Sequence, residues 1–284
     1  MTDKENTAHT ADHADWRNNF SPEYTFETLQ RVQRTLLEMM KEIDAIFRTN
    51  GIPYFISWGT LLGAVRHGGF IPWDDDLDIC VFESEYEKAI NLLRKHLSKS
   101  YIVHDKLTDP GYWCDWAKIR YLKSETVCTL WPEDNNFKYK GVCMDVYKVN
   151  NATLYEIAKK ENKWKCVYSI SCIKKSGHPL WKKCAHLLRM GWWELLLMAR
   201  GIYSLFANLI RSPQMYVYWT AEFRWKRIFP SNSVQPVKDI LFEGMKFSGP
   251  RDTGEVLRSL YGNYLQLPPV DQRRPHYDKV IFYD

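Results

Sequence analysis

The chain has 284 residues, 45% of them hydrophobic and 26% charged, with 12 tryptophans and a net charge of +5. That composition excludes a disordered or collagen-like chain. No stretch supplies the ~18–20 uncharged apolar residues of a membrane-crossing helix; the closest, residues 191–210, is interrupted by Glu194 and Arg200.

In chain order, residues 1–22 are polar and mixed in charge, resemble neither an export signal nor a transit peptide, and are expected to form a disordered leader. From Leu29 to Arg48, apolar residues recur every three to four positions, which predicts an amphipathic helix closed by Asn50-Gly51. A strand is predicted over residues 52–58, then a short helix or turn in LLGAVRHGG, then a second strand over residues 71–82. Ser84 with Glu87 has the pattern of a capping box ahead of a helix burying Tyr86, Ala89, Ile90, Leu93 and Leu97. Further strands are expected near residues 101–104, 116–122 and 141–149. The fold class is therefore α+β, a mixed sheet flanked by helices over residues 23–150.

Residues 151–235 read as a helical, tryptophan-rich, basic insertion. Between Lys163 and Arg211 nine lysines and arginines face Glu194 alone, so this segment carries +8 and the remainder of the chain −3. It suits the headgroup region of an anionic membrane, or else is a core helix pair with a solvated basic face. Nucleic acid is a poor fit, since the basic residues are confined to this helical segment. Residues 236–284 return to the core, with Asp252 capping a helix ahead of a proline- and tyrosine-rich stretch.

Seven cysteines, none in a CxxC pair, fit reduced thiols in a cytoplasmic protein.

The unusual stretch is WGTLLGAVRHGGFIPWDDDLDICVF, which places Asp74, Asp75, Asp76 and Asp78 between apolar segments. Unpaired carboxylates are costly there, and a divalent cation would offset the cost. On a strand Asp76 and Asp78 share a face, roughly 6.5 Å apart, and their hard oxygens suit Mg²⁺ or Mn²⁺. Asp145, the acid embedded in GVCMDVYKV, would complete the site. The Gly59-Thr60 turn could offer backbone N–H groups to a phosphate, and Arg66 a guanidinium. Asp74 and Asp75 also fit a plain solvated loop.

A strand ending in Gly-Thr, a short helix, a D-x-D strand and a later single Asp resemble the nucleotidyltransferase fold, whose usual pattern has Gly-Gly or Gly-Ser. WGTLLGAVRHGGFIPWDDDLDI is similar to the LicD family of phosphocholine and related phospho-alcohol transferases, the group that includes the fukutin-related proteins. FEG at residues 242–244, YGNYLQLPP at residues 261–269 and the Arg273, Arg274, His276 cluster resemble that family's closing motif.

The resemblance implies transfer of a substituted phosphate from a CDP-activated donor, typically CDP-choline, to a hydroxyl of a glycan or polyol-phosphate acceptor, with release of CMP. It implies Asp76 and Asp78 as metal ligands, Asp145 as ligand or base, and Asp74 as a further family acid. A choline headgroup would favour aromatic walls, for which Trp58, Trp73, Trp113, Trp116 and Trp131 are candidates; ribitol or glycerol remains open. Lipid-linked acceptors would place the chain on the cytoplasmic face of a membrane. The competing readings are true nucleotidyl transfer from ATP or CTP with release of pyrophosphate, and a non-catalytic membrane adaptor.

Overall fold

The computed structural model describes residues 16–174, 179–210, 215–221 and 225–283. Contacts divide the chain into two units, residues 1–149 with 233–284 and residues 150–232.

Trp16–Asn19, inside the stretch expected as a leader, forms a 3-10 helix. Trp16 is 1% exposed and packs with Tyr24, Leu29 and Trp73; residues 1–15 lie outside the described residues. Helix α1, Phe26–Thr49, is capped by Thr25, whose side chain accepts the Thr28 N–H. It buries Leu29, Val32, Leu36, Met39, Met40, Ile43 and Phe47, the stripe its periodicity predicts. Strand β1 is only Tyr54–Ile56, and helix α2, Trp58–His67, begins where the strand was expected to continue.

Strand β2, Leu77–Phe82, is six residues rather than the twelve expected. Residues 71–76 form a loop, so Asp76 precedes the strand and does not alternate with Asp78 along it. Every β2 residue is buried, which fits a strand covered on both faces. Helix α3, Glu83–His96, starts one residue before Ser84, with Phe82 at its N-cap and no side-chain cap. The expected capping box does not form; Glu83 and Glu85 instead place negative charge in the first turn. Strands β3 (Tyr101–His104), β4 (Ala117–Tyr121), β5 (Ser124–Val127) and β6 (Cys143–Thr153) follow. The main sheet runs β1-β2-β6-β4-β3, with β2 and β6 parallel and its other pairs antiparallel.

In the second unit, residues 150–153 at the end of β6 pair with β7 (Met215–Ala221), which pairs with β8 (Trp225–Pro230). Between them lie two long helices, α4 (Leu154–Lys174) and α5 (Leu180–Ile210).

The returning segment forms the hairpin β9 (Lys238–Phe242) and β10 (Met245–Gly249), helix α6 (Thr253–Tyr261), and β11 (Lys279–Phe282), which pairs with β5. Asp252 caps α6 as expected, accepting the Glu255 N–H. The hairpin turn sets Glu243 and Gly244 at φ 51° and 72°, positive values that suit a two-residue hairpin turn. Glu243 donates its N–H to the Gly68 carbonyl, and its carboxylate accepts the Phe70 N–H, both at 2.9 Å. A side chain at Gly69 would collide with that carboxylate, so Gly69 and Glu243 work as a matched pair joining the FEG turn to the loop before the aspartates.

Candidate active site

The parallel register of β2 and β6 sets Asp78 beside Asp145, and the antiparallel register of β6 and β4 sets Lys118 beside Asp145. One row across three strands therefore reads Asp78, Asp145, Lys118. All three are at least nine-tenths buried. The Lys118 ammonium lies 2.9 and 3.1 Å from the two Asp145 oxygens and 3.9 Å from Asp134, while Trp116 donates its Nε1–H to Asp145 at 2.6 Å. Burial works against the ammonium, and the Asp145 carboxylate outweighs it, so the Lys118 pKa is pushed up.

The acidic loop is not a solvated one. Asp75 is fully buried and accepts the N–H groups of His276 and Tyr277 at 2.8 and 3.1 Å and the His276 Nδ1 at 3.1 Å. That carboxylate ties the C-terminal segment to the loop and draws His276 into the aspartates. The same Nδ1 lies 3.4 Å from Asp76 and 3.6 Å from Asp74. Ligand atoms of Asp74, Asp76 and His276 all fall within 4.8 Å of one another.

Burial, then the charges of neighbouring carboxylates, drive the Asp74 and Asp78 pKa values well above the ordinary range. Burial also raises Asp76, against the pull of His276. Burial opposes the His276 imidazolium, but Asp76, Asp75 and Asp74 outweigh it and raise its pKa well above the usual value. Protons and one imidazolium thus partly offset a concentration of buried negative charge, the condition a divalent cation relieves. The donor set, carboxylate oxygens with one imidazole, fits Mg²⁺ or Mn²⁺.

Helix α2 meets this loop at its first turn. A Cβ on Gly59 would stand 2.7 Å from an Asp74 oxygen, so glycine is what lets the loop close on the helix. Thr60 accepts the Asp78 N–H at 2.8 Å and pins the start of β2. Trp58 holds a positive φ of 49°, a strained value for a bulky residue. Its ring stands edge-on to Tyr147 at 6.4 Å, and Tyr147 is 5.1 Å from Trp116. The three rings form a chain that reaches Asp145 through Trp116.

Several expected site residues are engaged elsewhere. Arg66, expected on a donor phosphate, points its guanidinium at the Tyr264 and Gln266 carbonyls at 3.1 and 3.4 Å, anchoring the tail. Trp73 packs on the Trp16 cluster with the Arg273 guanidinium 5.4 Å from its ring centroid, and Arg273 also donates to the Pro268 carbonyl at 2.9 Å. Arg274 is exposed. Trp131 lies 5.2 Å from the His276 ring, whereas Trp113 packs on Phe137.

Residues 51–132 match the family described as LicD/FKTN/FKRP, nucleotidyltransferase domain. Over these residues the chain is similar to the LicD family. The match covers Gly59, the four loop and strand aspartates and Lys118, while Asp145 and His276 lie beyond it. Over 270 residues the chain is 26% identical to the lipopolysaccharide cholinephosphotransferase LicD of Haemophilus influenzae, covering 88% of this chain and 96% of that one. It is 35% identical over 116 residues to the human ribitol 5-phosphate transferase FKRP, covering 39% of this chain but only 23% of that protein. An uncharacterised Rickettsia prowazekii protein, RP689, is 37% identical over 89 residues, 25% of this chain and 34% of that one.

Lys118 and Tyr147 were not among the residues the sequence singled out, Asp75 was read there as fitting a solvated loop, and Glu243 was named only as part of the FEG motif. Lys118 and Arg120 alternate in AKIRY, a strand otherwise apolar but for its terminal tyrosine. Charges on the buried face of a strand signal an acid on the next one.

Proposed function

We infer that this chain is a phospho-group transferase that moves a substituted phosphate, phosphocholine foremost, from a CDP-activated donor to a hydroxyl of a glycan or polyol-phosphate acceptor, with release of CMP. The observation that carries this reading is the row Asp78–Asp145–Lys118 beside the converging Asp74, Asp76 and His276. The near full-length similarity to a cholinephosphotransferase supports the phosphocholine choice, and the partial similarity to a ribitol 5-phosphate transferase keeps ribitol as the next donor.

Asp76 and Asp78 would hold Mg²⁺ or Mn²⁺, with Asp74 and His276 adjoining. When bound, the cation would neutralise the donor's two phosphates and the CMP leaving group. Asp145 would take the proton of the acceptor hydroxyl as its oxygen bonds to the transferred phosphorus and the bond to CMP breaks. Trp116 and Lys118 hold the Asp145 carboxylate in one orientation, and Lys118 offsets negative charge brought in by the donor. Trp58, Tyr147 and Trp116, packed ring against ring, are the aromatic groups that a quaternary ammonium would meet here. The free state of all seven cysteines accords with a cytoplasmic setting.

A thermal-shift panel with Mg²⁺ tests the donor class, since a ligand that binds the native state raises apparent stability. CDP-choline or another CDP-alcohol should stabilise the chain more than ATP or CTP. Preference for ATP or CTP would move the assignment to nucleotidyl transfer, and no response to any nucleotide would favour a non-catalytic role.

A further inference from the structure

Polar and small residues take part in the pairing of helices α4 and α5. Asn162 donates to Glu194 at 2.7 Å, His186 lies 3.4 Å from the Ser169 hydroxyl, and Gly201 sits so close to the Tyr155 ring that a Cβ would meet it at 3.2 Å. Asn162 and Ser169 are buried.

The outer face of α5 is the apolar one. Trp181, Leu188, Trp192, Leu195, Ile202 and Phe206 follow steps of three, four and seven, which place them on a single stripe. Each is between 56% and 76% exposed. The less exposed stripe of α5 mixes His186, Gly201 and Ser204 with Met190, Trp193 and Leu197, so polar groups help join the helices while large apolar groups also face out, a feature shared with helices packed within lipid. No helix among the described residues is long and apolar enough to cross a membrane, so this face fits a surface on which the helix lies flat.

Charge selects the surface. Lys182, Arg189 and Arg200 are spaced seven and eleven residues apart, which aligns them along one edge of the stripe. Lys182 also stands 5.4 Å from the Trp181 ring centroid. A second copy packed on this stripe would bring like charges together, whereas an anionic headgroup layer beside a hydrocarbon boundary matches both the charges and the apolar side chains.

We propose that the outer face of α5 docks the protein on an anionic lipid surface, with Trp192 and its apolar neighbours inserted and the flanking basic residues at headgroup level. The test is flotation of the full chain with phosphatidylglycerol–phosphatidylcholine vesicles and with phosphatidylcholine vesicles, at low and high salt. Binding should require the anionic lipid, weaken with salt as exposed charges are screened, and persist in part at high salt through apolar insertion.

The Leu188→Ser/Trp192→Ser/Ile202→Ser variant should lose about tenfold or more of the high-salt binding. Because these side chains are exposed, its circular dichroism and melting temperature should match the parent's. Arg189→Gln/Arg200→Gln should raise the anionic lipid fraction needed. The proposal is overturned if the parent stays at the bottom of the gradient with anionic vesicles at low salt, or if the triple variant floats as well as the parent. It is equally overturned if the lipid-free chain is a dimer that the same triple substitution dissociates, since a second copy then covers the face.

Discussion

Asp75→Ala is expected to unhook the C-terminal segment from the acidic loop. The Asp75 carboxylate takes two backbone N–H groups, from His276 and Tyr277, and the His276 Nδ1, at 2.8, 3.1 and 3.1 Å. A buried N–H left without an acceptor costs ~1–3 kcal/mol. These two are partly buried, so the lower half of that range applies to each and the loss should be about 3 kcal/mol. For a chain of this size that lowers the melting temperature by roughly 6–12 °C. His276→Ala removes the imidazole contact but leaves both N–H tethers, and should cost ~1 kcal/mol or less. Differential scanning fluorimetry in EDTA compares the two variants without interference from metal. Both should lose activity, because each removes the imidazole from Asp74 and Asp76. An Asp75→Ala protein that melts no lower than His276→Ala would refute the tether.

Further outcomes follow from the same site. Asp78→Asn should abolish transfer yet stabilise the metal-free protein, since burial and the neighbouring carboxylates disfavour the Asp78 charge; denaturant unfolding in EDTA measures it. The raised carboxyl and imidazole pKa values mean that the folded state holds more protons than the unfolded one, so metal-free stability should fall as pH rises above 6.5 through the raised values. Mg²⁺ should recover that loss, its thermal shift being larger at about pH 8.5 than at about pH 6.5, because binding must displace those protons. Lys118→Met strips one partner from a buried ion pair and should cost ~3 kcal/mol, with kcat reduced more than donor KM altered. Gly59→Ala should keep the fold but lose activity by displacing Asp74, read by circular dichroism beside turnover.

The sequence made the periodic elements legible. Helix α1 and the strands near residues 101, 117 and 143 follow directly from apolar spacing, and the clustering of Asp74 to Asp78 marked the site. What it hid was set by long-range pairing. The distance of Asp145 from Asp78 depends on a parallel register between β2 and β6 that no local pattern encodes. His276 joins the aspartates only because Asp75 captures backbone N–H groups 201 and 202 residues away. Arg66 shows the same limit: its chemistry suits a phosphate, and nothing in the sequence signalled that tail carbonyls more than 190 residues distant also meet its guanidinium. Reading residues 71–76 as strand failed because Pro72 and the consecutive aspartates favour a loop over a ladder.

Chromatography of reaction products tests the metal-dependent release of CMP from a CDP-activated alcohol. The chain would be incubated with CDP-choline, CDP-ribitol, CDP-glycerol, CTP and ATP, each with and without Mg²⁺, beside the Asp78→Asn variant. CMP should appear from CDP-choline or another CDP-alcohol, only with the metal and only in the parent protein. Pyrophosphate from CTP or ATP with no CMP from any CDP-alcohol would contradict the transferase assignment, as would CMP release that survives Asp78→Asn unchanged.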